Sequence, residues 1–235
     1  MARVLVIGDV HEPATHPGYR AFCEWVGTKW KTERVVFIGD LVDMHQASFH
    51  AAEPEAAGAE HEAEEAYDRV QAWHRTWPRA DVMIGNHDAR AHRLASSVRV
   101  PPRFIRDYSK VWGTTGWRWK MDATIDRVHY LHGTGCGGQT PALNAARISM
   151  SPTVCGHVHS AAGIHVAQGP DGRPIWGMDT GCGVDTEHPA MRYGRDLLRK
   201  PVLSAGVVID GHPYFELMDW HRGGRFHRSR FKGSA

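Results

Sequence analysis

Long apolar runs are missing from this sequence. The longest near the N-terminus, Val4 to Ile7, is too short for the core of a secretion signal and far too short to span a bilayer. The expectation is a soluble, cytoplasmic protein with no membrane partner. Cysteine is scarce as well: Cys23, Cys136, Cys155 and Cys182 form no CxxC pair and no tight framework, which reads as reduced thiols and argues against structural zinc. Repeats, low-complexity tracts and Gly/Ser linkers are absent, so nothing divides residues 1–220 into more than one domain. Charge of one sign is also lacking, with 28 Lys and Arg against 26 Asp and Glu. The exception is the C-terminal tail, residues 221–235, where Arg222, Arg225, Arg228, Arg230 and Lys232 stand without an acid.

The chain is long enough to bury a sizeable core, and 42% hydrophobic content suits a globular fold rather than a disordered one. Val4–Ile7, Arg34–Ile38 and Asp81–Ile84 are short β-branched runs, each followed by glycine, as expected of strands covered on both faces. Helical spacing connects them at Tyr19–Trp30 and Ala59–Trp77, a β-α-β-α-β order that predicts an α/β fold with a parallel or mixed sheet. The second half predicts strands at Val128–Leu131, Thr153–Cys155, Ile164–Ala167, Pro174–Met178, Val202–Ile209 and Tyr214–Met218. A helix over Pro141–Met150, capped by Thr140, interrupts them. Gly169-Pro-Asp-Gly172 and Asp210-Gly211 predict hairpin turns.

Histidine is plentiful, at 17 residues. Several histidines fall in short motifs that end or follow strands: Gly8-Asp-Val-His11, Gly39-Asp-Leu-Val-Asp43, Gly85-Asn-His-Asp88, His132-Gly133 and Gly156-His-Val-His159. In an open α/β sheet the carboxyl ends of strands share one edge, so residues just past them converge. Carboxylate and imidazole together, without thiolate, suit divalent manganese, iron, cobalt, nickel or zinc better than calcium. Any one of these motifs alone is a common turn; five in order are not.

The ordered set resembles the calcineurin-like metallophosphoesterase superfamily, whose pattern is GDxH, GDxxD, GNH(D/E), a later histidine and GHxH. The resemblance implies a two-sheet β-sandwich flanked by helices. It also implies two metal ions, manganese first among the candidates: Asp9, His11 and His159 on one, Asn86, His132 and His157 on the other, and Asp40 bridging. His87 would face the substrate as a proton donor or phosphate-oxygen partner, oriented by Asp88. Gly85–Arg90 and Trp176–Gly181 further resemble phosphoesterases common in phage genomes, which would place the protein in the host cytoplasm.

Two ions about 3.5–4 Å apart can polarise phosphoryl oxygens and generate a bound hydroxide near neutral pH. The expected activity is therefore hydrolysis of a phosphodiester, either a small nucleotide-type ester or a nucleic-acid end. The alternatives are a phosphomonoesterase, including a protein phosphatase, and a nucleic-acid-binding accessory protein with a vestigial metal site. Around the core set, Arg90 reads as a phosphate clamp or a surface ion pair, and Asp43 as support for the ligands or a helix cap. Related double-strand-break repair nucleases tend to have histidine where this chain has Asp43, which argues against that activity. His45 and His50 read as solvated, Cys182 as packing, and Glu53–Asp68 as a solvated acidic face at the front of a helix. The tail, interleaved with Trp220, Phe226 and Phe231, reads either as solubilising or as a contact for nucleic acid.

Overall fold

The computed structural model describes residues 2–47, 58–194 and 198–218. His50, the front of the acidic stretch, Trp220 and the basic tail lie outside the described residues. The elements run β1 (Arg3–Ile7), α1 (Tyr19–Trp30), β2 (Arg34–Phe37), α2 (Ala59–Thr76), β3 (Ala80–Met83), α3 (Arg90–Ser97), α4 (Tyr108–Val111) and β4 (Trp117–Lys120). They continue with β5 (Asp122–Ile125), β6 (Val128–Leu131), α5 (Pro141–Ser149), β7 (Thr153–Cys155), β8 (Ala162–Gln168), β9 (Pro174–Thr180), β10 (Ser204–Ile209) and β11 (His212–Leu217).

Two mixed sheets result. The first has the order β11-β10-β1-β2-β3-β4, with β1 to β4 parallel and β10 and β11 antiparallel; the second has the order β5-β6-β7-β9-β8. The alternation of side chains along each strand sets the layers. Leu5, Ile7, Val35 and Phe37 enter a core shared with Phe22 and Val26 of α1 and Val70 and Trp73 of α2. Their neighbours Val4, Val6, Val36 and Ile38 face the other way, against Val128, Tyr130, Val154 and Met178 of the second sheet. Burial on both faces is why the first strands carry almost no polar residue, and each such side chain contributes about 1.5–3 kcal/mol. Helix α5 covers the far face of the second sheet through Ala142 and Ala145, which pack on Cys155. The architecture is the expected two-sheet sandwich flanked by helices.

The structure corrects several expected boundaries. β9 runs past Met178 to Thr180, because Asp179 pairs with both Cys155 and Gly163. β8 extends in step from Ala162 to Gln168. Val202 stands outside β10 because its N–H donates to the carbonyl of His159, tying it to a loop instead of the ladder. The last strand is His212–Leu217, in register with β10. Thr140 occupies the cap position of α5 but makes no side-chain cap bond; the Asp179 carboxylate accepts the Ala142 N–H instead. Glu62, expected in a solvated face, is buried and accepts the backbone N–H groups of His45 and Gln46.

Candidate metal centre

The parallel strands β1, β2 and β3 of the first sheet and β6 and β7 of the second end on one rim of the sandwich. The five motifs follow those ends. Three of their residues have left-handed backbone, His11 at φ 55°, Asp40 at φ 48° and His157 at φ 70°, a strained conformation that persists only where the surroundings enforce it. Here the enforcing contacts are visible. The N–H groups of Val10 and His11 both donate to the carbonyl of Asp40, and the Gly183 N–H donates to that of Asp9.

The preceding glycines have a steric cause. A Cβ on Gly85 would overlap the Asp40 carboxylate, and one on Gly156 would overlap that of Asp9. Each motif thus leaves room for a ligand of another motif.

Asp9, His11 and His159 form one cluster. Asp43 Oδ1 accepts a hydrogen bond from His11 Nδ1 at 2.8 Å, so His11 Nε2 carries a lone pair. That lone pair faces His159 Nε2 at 3.1 Å, and His159 Nε2 is 3.2 Å from Asp9 Oδ2. Asp9 Oδ1 is buried and has no hydrogen-bond partner among the described residues.

Asp40, His132 and His157 form a second cluster. His132 Nδ1 lies 3.2 Å from the Ile38 carbonyl and donates to it, which turns the lone pair of Nε2 inward. Within 3.2 Å of that nitrogen stand Asn86 Oδ1, Asp40 Oδ2 and His157 Nδ1. Carboxylate, amide and imidazole atoms that converge in a buried rim, with two buried carboxylates among them, favour positive charge and offer a cation its ligands. Both clusters therefore fit a divalent metal.

The charges lean the same way. Burial raises the pKa of Asp40, but His132, then His11 and His87, outweigh it and hold the carboxyl well below the usual range. Burial disfavours a charged His132, yet Asp40 and Asp9 push that imidazole up to about 9. His11, fully buried, is shifted down.

Asp40 Oδ2 lies between the clusters, 3.1 Å from His132 Nε2 and 3.6 Å from His11 Nε2. His11, Asp40 and His87 make a third group of ligand atoms that overlaps the first two. His87 Nε2 is 4.0 Å from Asp40 Oδ2 and 3.3 Å from the Arg90 guanidinium.

Two supporting residues act differently from expectation. His87 is held by Asp43 and not by Asp88: His87 Nδ1 donates to the Asp43 backbone carbonyl at 2.8 Å, with Asp43 Oδ1 2.9 Å away. Asp88 is turned away and accepts the N–H groups of Val42 and Gly85, which holds the second and third motifs together. Asp43 therefore caps no helix; it holds two imidazoles. Arg90 is not in a surface ion pair, since its guanidinium donates to the carbonyls of Asp43 and Met44. His45 is half-buried, with Nδ1 4.0 Å from Asp43 Oδ2. Cys182 is packed among Ala14, Val184, Ala190 and Met191. Sequence reasoning missed Glu12, which accepts the Trp73 indole N–H at 2.6 Å and links the first motif to α2. Its place directly after His11 was the available signal.

A family model described as calcineurin-like phosphoesterase matches residues 2–151. The chain belongs to that family. The match ends before His157 and His159, and the geometry above brings those two residues to the same rim. No curated protein matches the chain in sequence. Among solved structures, Vps29 of Chaetomium thermophilum is 13% identical, with a TM-score of 0.50 over 97% of this chain and 94% of that one. A putative diadenosine tetraphosphatase is 15% identical, with a TM-score of 0.47 over 92% and 93%. The phosphoesterase Yfce of E. coli is 13% identical, with a TM-score of 0.40 over 87% of each chain. At these identities the likeness is one of fold. As a member of the calcineurin-like phosphoesterases, the chain is a phosphoester hydrolase with candidate ligand groups for divalent metal ions.

Proposed function

We propose that this calcineurin-like phosphoesterase hydrolyses phosphodiesters with two divalent transition-metal ions, manganese favoured, Asp9, His11 and His159 holding one and Asn86, His132 and His157 the other. The observation that carries the reading is the position of Asp40 Oδ2 between the two clusters, 3.1 Å from His132 Nε2 and 3.6 Å from His11 Nε2, where one oxygen would reach an ion in either. Such a pair of ions supplies Lewis-acid polarisation of the phosphoryl oxygens and an activated water near neutral pH.

The chain's own residues supply orientation. Asp43 fixes the rings of His11 and His87 through their Nδ1 atoms, leaving Nε2 of each toward the rim. His87 Nε2 is then placed to meet a substrate oxygen and to assist the leaving group, worth typically 10²- to 10⁴-fold in general acid catalysis. Arg90 brings one guanidinium already committed to two backbone carbonyls. A single, partly engaged cation suits a singly charged diester better than the dianion of a monoester.

The test compares bis-nitrophenyl with mononitrophenyl phosphate under added manganese. Faster turnover of the diester is expected, along with loss of activity in Asp40→Ala. Preference for the monoester would replace the substrate class, and activity indifferent to Asp40→Ala would remove the two-metal mechanism.

A further inference from the structure

We infer that the surface segment from Arg90 to Lys110 is a docking track for single-stranded nucleic acid, leading a phosphodiester strand into the rim. This rests on the phosphodiesterase reading and names its substrate class. Within residues 90–110 stand Arg90, Arg93, Arg99, Arg103, Arg106 and Lys110, against the lone acid Asp107, in a chain that is otherwise nearly balanced.

The track starts at the site. Arg90 touches His87, and Arg93 follows one turn later on the flank of α3 that Arg90 occupies. α3 has no fully buried side chain and extends about 12 Å along the surface. What holds it is a stack: the His92 ring lies 4.4 Å from Tyr108, which lies 5.0 Å from Trp119 of β4. The segment is therefore anchored to the sheet while its cations face outward.

Those cations are free for a ligand. Among the described residues, Lys110 pairs with Asp107 and Arg90 with backbone carbonyls, whereas exposed Arg93, Arg99, Arg103 and Arg106 have no carboxylate partner. An aromatic ring sits among them: Phe104 is 70% exposed, with the Arg103 guanidinium 5.2 Å from its centroid. Pro101 and Pro102 precede it and lead into a single 3-10 turn, Pro102–Phe104, whose Phe104 N–H donates to the Pro101 carbonyl, so the ring is presented on a stiff turn. Spaced cations with an exposed ring beside them match the two needs of single-strand binding, phosphate neutralisation and base stacking. A small ester would use neither Phe104 nor Arg106.

The experiment measures fluorescence anisotropy of a labelled phosphorothioate oligothymidylate with the full chain and manganese, over a salt series. The wild type should bind it. The triple variant Arg99→Glu, Arg103→Glu, Arg106→Glu should lose at least about tenfold in affinity, and its salt slope should fall by about 2, at roughly 0.7 per cation removed. Phe104→Ala should weaken binding about tenfold with the slope unchanged. Both variants should keep bis-nitrophenyl phosphate turnover within about twofold, which shows that they fold.

Wild-type affinity retained by both variants, or no wild-type binding, would overturn the track. So would equal competition by polyglutamate of the same charge, which would indicate a surface for acidic protein. Failure to hydrolyse any diester would overturn the phosphodiesterase reading, while the anisotropy would still decide the track.

Discussion

Asp43→Asn keeps the size of the side chain and removes the charge that holds the His11 imidazole. Because Asp43 Oδ1 accepts from His11 Nδ1, the substitution frees that ring to rotate and to change tautomer, while His87 Nδ1 keeps its bond to the Asp43 backbone carbonyl. Partners of this kind typically control metal affinity by 10- to 100-fold, so titration calorimetry with manganese should show a loss of about that size. Unchanged affinity would mean that His11 is held by its other neighbours. Gly85→Ala tests steric room instead. Its Cβ would meet the Asp40 carboxylate, so a stability loss of about 1–3 kcal/mol, read from denaturant unfolding, is expected together with weakened metal binding. The seven candidate ligands were legible because each follows or adjoins a glycine at a strand end. Asp43, Asp88 and Arg90 were legible only as residue types, since their partners come from other loops and no local spacing reveals which carboxylate reaches which ring.

The helices and strands differ in how clearly they announced themselves, for reasons visible in their burial. β1 and β2 are buried on both faces and read as apolar runs, and α2 shows its buried side through Ala66, Val70 and Trp73. α3 buries no residue fully and so presents no stripe, while Trp117-Arg-Trp-Lys120 is short enough that its alternation carries little weight. β9 is the element where contact is tightest. Gly177 lies against the backbone of Ala142 and Leu143 at the start of α5, leaving no room for a side chain. Gly177→Val should therefore push the helix off the sheet and cost about 3 kcal/mol or more, read from urea midpoints. Asp179, two residues on, gives β9 a pH dependence. Burial pushes its carboxyl up to about 7, against the Ala142 N–H that favours the ionised form. An acid with a raised folded-state pKa contributes stability fully below its unfolded value near 3.8, and that stability is lost as pH rises through 7. Asp179→Asn should accordingly gain on the wild type between pH 5 and pH 8. A constant difference across that range would show that Asp179 does not titrate there.

For the whole molecule, the rim gathers ligand residues from both sheets, so what binds there bears on global stability. Asp9, Asp40 and Asn86 come from the first sheet, His132 and His157 from the second, and the apolar layer of Val6, Ile38, Tyr130 and Val154 lies between the sheets behind them. Ligand atoms from both sheets meet across that seam, so a cation bound there would tie the two sheets together. A ligand bound only by the folded state stabilises it by about 2.7 kcal/mol when present at 100 times its dissociation constant. For a chain of this size each kcal/mol moves the melting temperature by about 2–4 °C, so saturating manganese should raise Tm by roughly 5–10 °C per site over the chelator-treated protein. Calorimetry on the wild type and on Asp40→Ala separates one site from two. If Asp40 serves both ions, its loss should remove most of the manganese-dependent rise. A variant that keeps half of the rise would show that one cluster binds independently of the bridge.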